Sequence, residues 1–355
     1  MKIVTILGAR PQFIKASVVS NALKHAGIDE ILIHTGQHFD SLMSDIFFQD
    51  LALPVPHHHL NIHSLNHGAM TGRMMEKIEE LLLEQELPDW VCVYGDTNST
   101  LAGALVAAKL HIPLAHIEAG LRSFNRQMPE EVNRVVTDHL AQLLLVPTPL
   151  AVQCLQKEGV SQGVHLVGDV MMDAILTYKQ KAKQTSDILA KYQLRPEKFY
   201  LATIHRPSNT DEQYRLSAII ESLATLDYPV VFPMHPRTTA QIQAMDLERY
   251  FALNSIIAIP PVSYLDILML ESFCKAVITD SGGIQKEAYI LGRPCFTMRD
   301  ETEWKETVEV GWNHLVQPET LHSAIANFTP PTEAPTLYGN GDAATQIAEL
   351  FLASS

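Results

Sequence analysis

Short apolar runs recur along the chain, each followed by a turn and then by a helical stretch with apolar residues three and four apart. In the first half the runs fall at Lys2–Leu7, 32–34, 90–95, 113–117, Leu143–Val146 and 164–167. They show little alternation, as expected for strands covered on both faces. The segments between them predict helices over 12–25, 41–51, 65–86, 99–110, 129–142 and 150–157. A second series begins after Gly168, with a long polar helical span at 173–192 and apolar runs at 199–203, Val230–Pro233, Ile256–Ile259, 276–279 and Cys295–Thr297. Helices are expected there over 211–226, 236–245, 263–274, 283–291 and 342–352. Strands alternating with helices at this spacing predict parallel α/β sheets. The expected division is 1–168 and 169–355, two Rossmann-like domains facing a cleft. The final helix, about 342–352, is a candidate to pack back on the first domain.

Length supports the division, because 355 residues exceed one ordinary core. A net charge of −14 argues against a general nucleic-acid or anionic-membrane partner. It still leaves room for a phosphorylated small ligand held by local arginines and helix amino ends. Cys92, Cys154, Cys274 and Cys295 are scattered in apolar segments without a CxxC pair, which fits reduced core thiols and a cytoplasmic protein. The amino terminus lacks the long apolar core of a signal peptide, and no apolar run approaches the ~20 residues of a membrane span.

The candidate chemistry concentrates where apolar runs end. Asp96 and Glu118 close two of them, and Glu130-Glu131 follows Pro129 at a helix start. Carboxyl ends of parallel strands are where ligands bind. Arg122, Arg126 and Arg134 lie in the same stretch. Each acid also has a structural reading. Asp96 can cap the next helix. Glu118 can pair with Arg122. Glu130 favours a helix amino end on charge grounds alone. In the second half, His205 and His235 follow matching strands. Ser281, Gly282 and Gly283 open a helix directly after an apolar strand, a pattern that lets backbone N–H groups meet an anion. Glu287 follows one turn later, within reach of ribose hydroxyls. Gly8-Ala9-Arg10-Pro11 occupies the equivalent place in the first half, where Arg10 and Lys15 could meet phosphate; no GxGxxG is present. His59, His63 and His67 share helical spacing, but Pro54, Pro56, Asn61 and Asn66 favour a polar loop over a metal site. Nothing calls for a metal or a nicotinamide, so no cofactor is expected.

Taken together, GARPQFIKA, TGQH, YGDTNST, HIEAGLRS, MPEEVNR, TIHRPSN and DSGGIQKE resemble the non-hydrolysing UDP-N-acetylglucosamine 2-epimerases over nearly the whole chain. The resemblance implies a glycosyltransferase B type fold, a UDP-sugar substrate, a homodimer and a role in surface polysaccharide precursor synthesis. It implies that the carbon-2 proton is removed while UDP leaves carbon 1, and that the resulting glucal is reprotonated on its other face. By motif position, Asp96, Glu118, Glu130 and His205 match the family's catalytic residues. Arg10, His235, Ser281, Gly282, Gly283 and Glu287 match nucleotide-binding positions, with Lys15, Arg122 and Arg134 as further substrate contacts. A hydrolysing 2-epimerase and a glycosyltransferase are the alternatives on the same scaffold. GARPQ, HRPSN and RDETEWKE depart from the family's usual GTRPE, HRxEN and RDxTERPE. They resemble the branch acting on UDP-2,3-diacetamido-2,3-dideoxyglucuronic acid, for which Arg126 and Lys305 are candidate contacts.

Overall fold

The computed structural model describes residues 1–37, 51, 53–84, 86–253, 255–332 and 334–354. The helix expected over 41–51 falls almost wholly outside them. The chain forms two compact units, one of Met1–Leu176 with Leu337–Ser355 and one of Thr177–Thr336.

In the first unit, β1 (Lys2–Leu7), β2 (Asp29–His34), β3 (His58–His59), β4 (Trp90–Tyr94), β5 (Leu114–Ile117), β6 (Leu143–Val146) and β7 (Val164–Leu166) form one parallel sheet. Its order is β3-β2-β1-β4-β5-β6-β7. β4, β5 and β6 are buried along their whole length, which explains their unbroken apolar sequence. Order reverses between β1 and β4, the place where such sheets bind ligands. The histidine-rich connection supplies the edge strand β3, paired Ile33 to His58 and His34 to His59. His59 therefore sits on a strand while His67 opens the helix His67–Leu83, and the helical spacing of the histidines is not realised.

The second unit repeats the plan with β8 (Tyr200–Thr203), β9 (Val230–Pro233), β10 (Ile256–Ile259), β11 (Val277–Thr279), β12 (Cys295–Thr297) and β13 (Asn313–Leu315). They are parallel in the order β10-β9-β8-β11-β12-β13, reversing between β8 and β11. Its core includes Tyr200, Ile220, Val230, Phe232, Ile278 and Phe296. β13 escaped sequence reading because its three residues are of mixed polarity. Asn313 belongs inside because its amide donates to Gln285 Oε1 at 2.9 Å and Thr307 Oγ1 at 3.1 Å. The helix expected over 211–226 is Gln213–Ala224, preceded by a separate short helix, Pro207–Thr210. The span expected at 173–192 is two helices, Val170–Thr185 and Ile188–Lys191.

The last helix, Ala343–Ala353, packs on the helix Arg10–His25 of the first unit, with Phe351 edge-on to Trp90 at 5.7 Å. The chain re-enters that unit at Leu337 and passes Gly168, whose φ of +89° and close approach to Tyr338 O suit only glycine. Asp173 Oδ1 then accepts the Ala344 N–H at 2.8 Å, satisfying an amide at the start of the last helix. Replacing Asp173 by Ala is expected to cost about 1–3 kcal/mol, seen as a lower Tm and faster proteolysis of the last helix. An unchanged Tm would refute that role.

Candidate active site

The turn after β1 is built around Gln12. Its Oε1 accepts the N–H groups of Gly8 and Ala9 at 2.8 and 3.0 Å, and its Nε2 donates to Tyr94 O at 2.7 Å. A carboxylate there could not donate to the Tyr94 carbonyl, so GARPQ in place of GTRPE has a direct structural consequence. Gly8 is required because a Cβ would run into the hydroxyls of Thr35 and Ser99. Arg10 begins the helix that follows.

Asp96 sits in the turn after β4. It does not cap the next helix, because Thr97 does so, with its hydroxyl accepting the Thr100 N–H. Asp96 instead pairs with Arg134, while Asn133 Nδ2 donates to its backbone carbonyl at 2.9 Å. Glu118 follows β5, the neighbour of β4 in the sheet. It pairs with Lys15 rather than with Arg122. Its φ of +73° is a left-handed conformation that a β-carbon disfavours. Such strain persists where surrounding structure holds it, commonly at functional sites. Asp96 and Glu118 therefore end adjacent strands beside the sheet's switch point, each against a cation. Burial pushes the Asp96 carboxyl up, Arg134 pulls it down, and Glu118 pushes it up again; the balance lies above the ordinary value. Removing Arg134 removes the largest opposing influence. In Arg134→Met, the limb of the pH–rate profile set by Asp96 should move upward. A profile unmoved from wild type would show that Arg134 does not tune this acid.

The other residues of this stretch separate. Glu130 is exposed in the first turn of the helix Pro129–Leu140, whereas Glu131 is 3% exposed. Glu131 accepts the N–H groups of Ser123 and Phe124 at 2.9 and 2.8 Å and holds Arg134 at 3.2 Å. Arg122 does not join the acids. It is engaged by Asp138 at 2.7 Å and by both oxygens of Glu158 at 2.8 and 2.7 Å, so we leave it out of ligand binding. Arg126 is exposed. Sequence reading passed over His116, which lies within an apolar strand. It is fully buried, with Nδ1 2.7 Å from Asp138 Oδ1 and Nε2 2.7 Å from Gly95 O.

In the second unit the candidate groups gather at the β8–β11 switch point. Thr203 and Thr279, at corresponding ends of the two strands, are hydrogen-bonded at 2.6 Å. Asp280 lies just beyond and is fully buried. It accepts the His205 and Arg206 N–H groups at 3.1 and 2.9 Å and Asn209 Nδ2 at 3.0 Å. Its Oδ1 is also 3.1 Å from His205 Nδ1, so Asp280 fixes the ring while nearly half of the histidine side chain stays exposed. Burial alone would raise the Asp280 carboxyl, but His205, Asn209 and the Arg206 amide bring it below its ordinary value. His235 caps the helix Pro236–Ala244, its Nδ1 accepting the Arg237 N–H at 3.2 Å. That leaves Nε2–H as its donor. Burial, His205 and Arg237 all hold the ring below the usual histidine range. The helix Gly282–Ile290 starts at Ser281, and no side chain caps it. Its Glu287 is buried. Gly282 leaves room for the Glu303 carboxylate, which a Cβ would strike. Trp304, at the position of the family's usual arginine, lies beneath the Lys286 ammonium at 4.5 Å. Asp280 was the clearest omission from the sequence reading. Its polarity directly after an apolar strand is the same signal that marked Asp96.

No helix among the described residues is long and apolar enough to cross a membrane. A family model described as UDP-N-acetylglucosamine 2-epimerase matches residues 21–352. The chain is 48% identical over 360 residues to the UDP-2,3-diacetamido-2,3-dideoxy-D-glucuronate 2-epimerase of Pseudomonas aeruginosa, spanning 98% of this chain and 99% of that one. It is 45% identical over 368 residues to a UDP-N-acetylglucosamine 2-epimerase of Methanocaldococcus jannaschii, spanning 99% of each. A crystal structure of the Methanocaldococcus jannaschii UDP-GlcNAc 2-epimerase with UDP-GlcNAc and UDP matches with a TM-score of 0.88 and 42% identity, over 99% of this chain and 100% of that one.

Proposed function

This chain belongs to the UDP-N-acetylglucosamine 2-epimerase family, and on that premise we propose how its side chains carry the reaction. It is an isomerase that inverts carbon 2 of a UDP-2-acetamido sugar. In our reading Asp96, Glu118, Glu130 and His205 carry the proton transfers, and the second unit holds UDP.

The observation that carries this reading is the pair Asp96 and Glu118, on adjacent strand ends, each facing a cation and one of them in a strained backbone conformation. Epimerisation at carbon 2 needs one group that takes a proton and another that returns one on the opposite ring face. As the carbon-2 proton leaves to a carboxylate, its electrons form the C1–C2 double bond, and the C1–O bond breaks toward UDP. The reverse steps deliver a proton to the other face and re-form the C1–O bond. An Asp96 carboxyl held above its ordinary value is suited to keep a proton and return it to the ring. Departing diphosphate is stabilised by the amino end of the helix Gly282–Ile290 and by the His235 Nε2–H. Glu287 takes the ribose hydroxyls, and Arg10 adds charge to the phosphate.

Among UDP-2-acetamido sugars we favour the 2,3-diacetamido glucuronate. GARPQ, HRPSN and RDETEWKE support it, as do the Gln12 bridge and the Lys286–Trp304 stack that accompany these changes. We extend the reading to a cytoplasmic homodimer that supplies surface-polysaccharide precursors. The test is a panel of UDP-N-acetylglucosamine and UDP-2,3-diacetamido sugars, with and without a carboxylate at carbon 5, in heavy water. Deuterium should enter carbon 2 with the gluco and manno forms interconverting and no net release of UDP. No deuterium in any of them would overturn the proposal, and UDP accumulating with turnover would replace it by hydrolysis.

A further inference from the structure

We propose that His116 and Asp138 are positioning residues for the carbon-2 reaction, a buried pair that holds the turn leading into Asp96 and the turn following Glu118 in one arrangement. This deepens the acid–base assignment above and rests on it.

The connections run through both turns. His116 Nε2 is 2.7 Å from Gly95 O, the carbonyl of the peptide that enters Asp96. His116 Nδ1 is 2.7 Å from Asp138 Oδ1. Asp138 Oδ2 accepts the N–H of Gly120, two residues after Glu118, at 3.0 Å, and Arg122 Nη1 at 2.7 Å. A carbonyl and a carboxylate are both acceptors, so each ring nitrogen of His116 faces one, and the ring bridges the two. Burial alone would push the Asp138 carboxyl up, but His116 and Arg122 bring it below its ordinary value, which keeps it ionised.

Two considerations turn this from packing into positioning. Gly95, Glu118 and Gly120 all have positive φ, at 60°, 73° and 82°. For Glu118, which carries a β-carbon, that conformation is disfavoured. The strand register ends at Tyr94 opposite Ile117. Past it the sheet reaches the turns only through the N–H groups of Gly95, to Ile117 O at 3.0 Å, and of Glu118 and Ala119, to Leu145 O at 3.0 and 3.2 Å, leaving Gly95 O and the Gly120 N–H to the His116–Asp138 pair. The ladder alone therefore does not fix them. Second, a buried ion pair is a poor source of stability, since apolar replacements of similar volume are often neutral or better. Its value here lies in the direction its bonds impose. The bonds reach the backbone beside both catalytic carboxylates and touch no reacting atom.

The test uses His116→Phe, Asp138→Ala and Asp138→Asn in the full chain. Readouts are kcat and KM for the faster of UDP-N-acetylglucosamine and UDP-2,3-diacetamidoglucuronate, and UDP binding by calorimetry. His116→Phe and Asp138→Ala should lower kcat by about 100-fold, the scale of a small misplacement of reacting groups, with UDP affinity within about threefold of wild type. Asp138→Asn should recover to within about tenfold of wild type. Its amide can donate to a neutral His116 Nδ1 while its oxygen keeps Gly120 and Arg122. A His116→Phe enzyme that binds UDP and keeps kcat within threefold of wild type would overturn the proposal. So would an Asp138→Asn enzyme no better than Asp138→Ala, which would make the charge rather than the geometry decisive. If His116→Phe fails to bind UDP, the two Asp138 variants decide. Failure of the underlying assignment is separately visible, as full deuterium exchange in Asp96→Asn and Glu118→Gln.

Discussion

Glu118→Gln is expected to lower kcat by about 1000-fold while leaving UDP affinity and Tm close to wild type, because acid–base transfer at one carbon contributes about 10²–10⁴-fold. The substitution keeps the shape of the side chain and an oxygen that can still accept from the Lys15 ammonium. It removes only the ability to take and return a proton. The substitution alters none of the groups proposed to hold UDP, so UDP affinity should not change. Glu118→Ala serves as the contrast. It strands Lys15, 7% exposed, without its carboxylate partner, and removing one member of a buried pair costs about 3–5 kcal/mol. Alanine should therefore lose both stability and turnover, and glutamine turnover alone. The measurement is solvent-deuterium exchange at carbon 2 beside thermal unfolding. A glutamine enzyme with wild-type exchange would remove Glu118 from the chemistry.

Asp280→Ala should give the largest loss of stability in the second unit, about 3–5 kcal/mol, or roughly 10 °C in Tm. The carboxylate is fully buried and accepts two backbone amides and the Asn209 amide, with His205 Nδ1 at 3.1 Å. Deleting the carboxylate takes this acceptor from the His205 and Arg206 N–H groups, while the Asn209 amide keeps only Met298 O, at 3.0 Å. The dependence on pH has a definite sign. The folded carboxyl lies below its unfolded value of about 3.9. Its stabilisation is therefore complete above that value and is lost as pH falls through the lower folded one. Wild type should lose stability below about pH 4 more steeply than Asp280→Ala, whose curve should be flatter there. Equal slopes in chemical denaturation across that window would show that Asp280 is not the anchor. Turnover should fall too, because His205 loses the group that orients its ring.

Much of this molecule was legible in its sequence. The strand runs at Lys2–Leu7, Leu143–Val146, Val230–Pro233, Ile256–Ile259 and Cys295–Thr297 carry their own burial signal, and the observed strands keep those bounds. Residues at the carboxyl ends of such runs, among them Asp96, Glu118, His205 and Ser281, lie where a parallel sheet presents its turns. The departure GARPQ also pointed to something real, for Gln12 does what a carboxylate could not. These features are local. A strand, its turn and the start of the next helix are encoded within a few residues, and so is the side of the sheet on which the turn emerges.

Pairing was decided only by tertiary structure. Glu118 might have taken Arg122, four residues away, yet it takes Lys15, distant by 103 positions. Arg122 turns to Asp138 and Glu158, Asp96 leaves the helix cap to Thr97, and His116 proves to be a link between Gly95 O and Asp138. The order β1-β4-β5 sets these choices by bringing three separate turns side by side, and a buried charge must accept the opposite charge that the crossovers deliver to it.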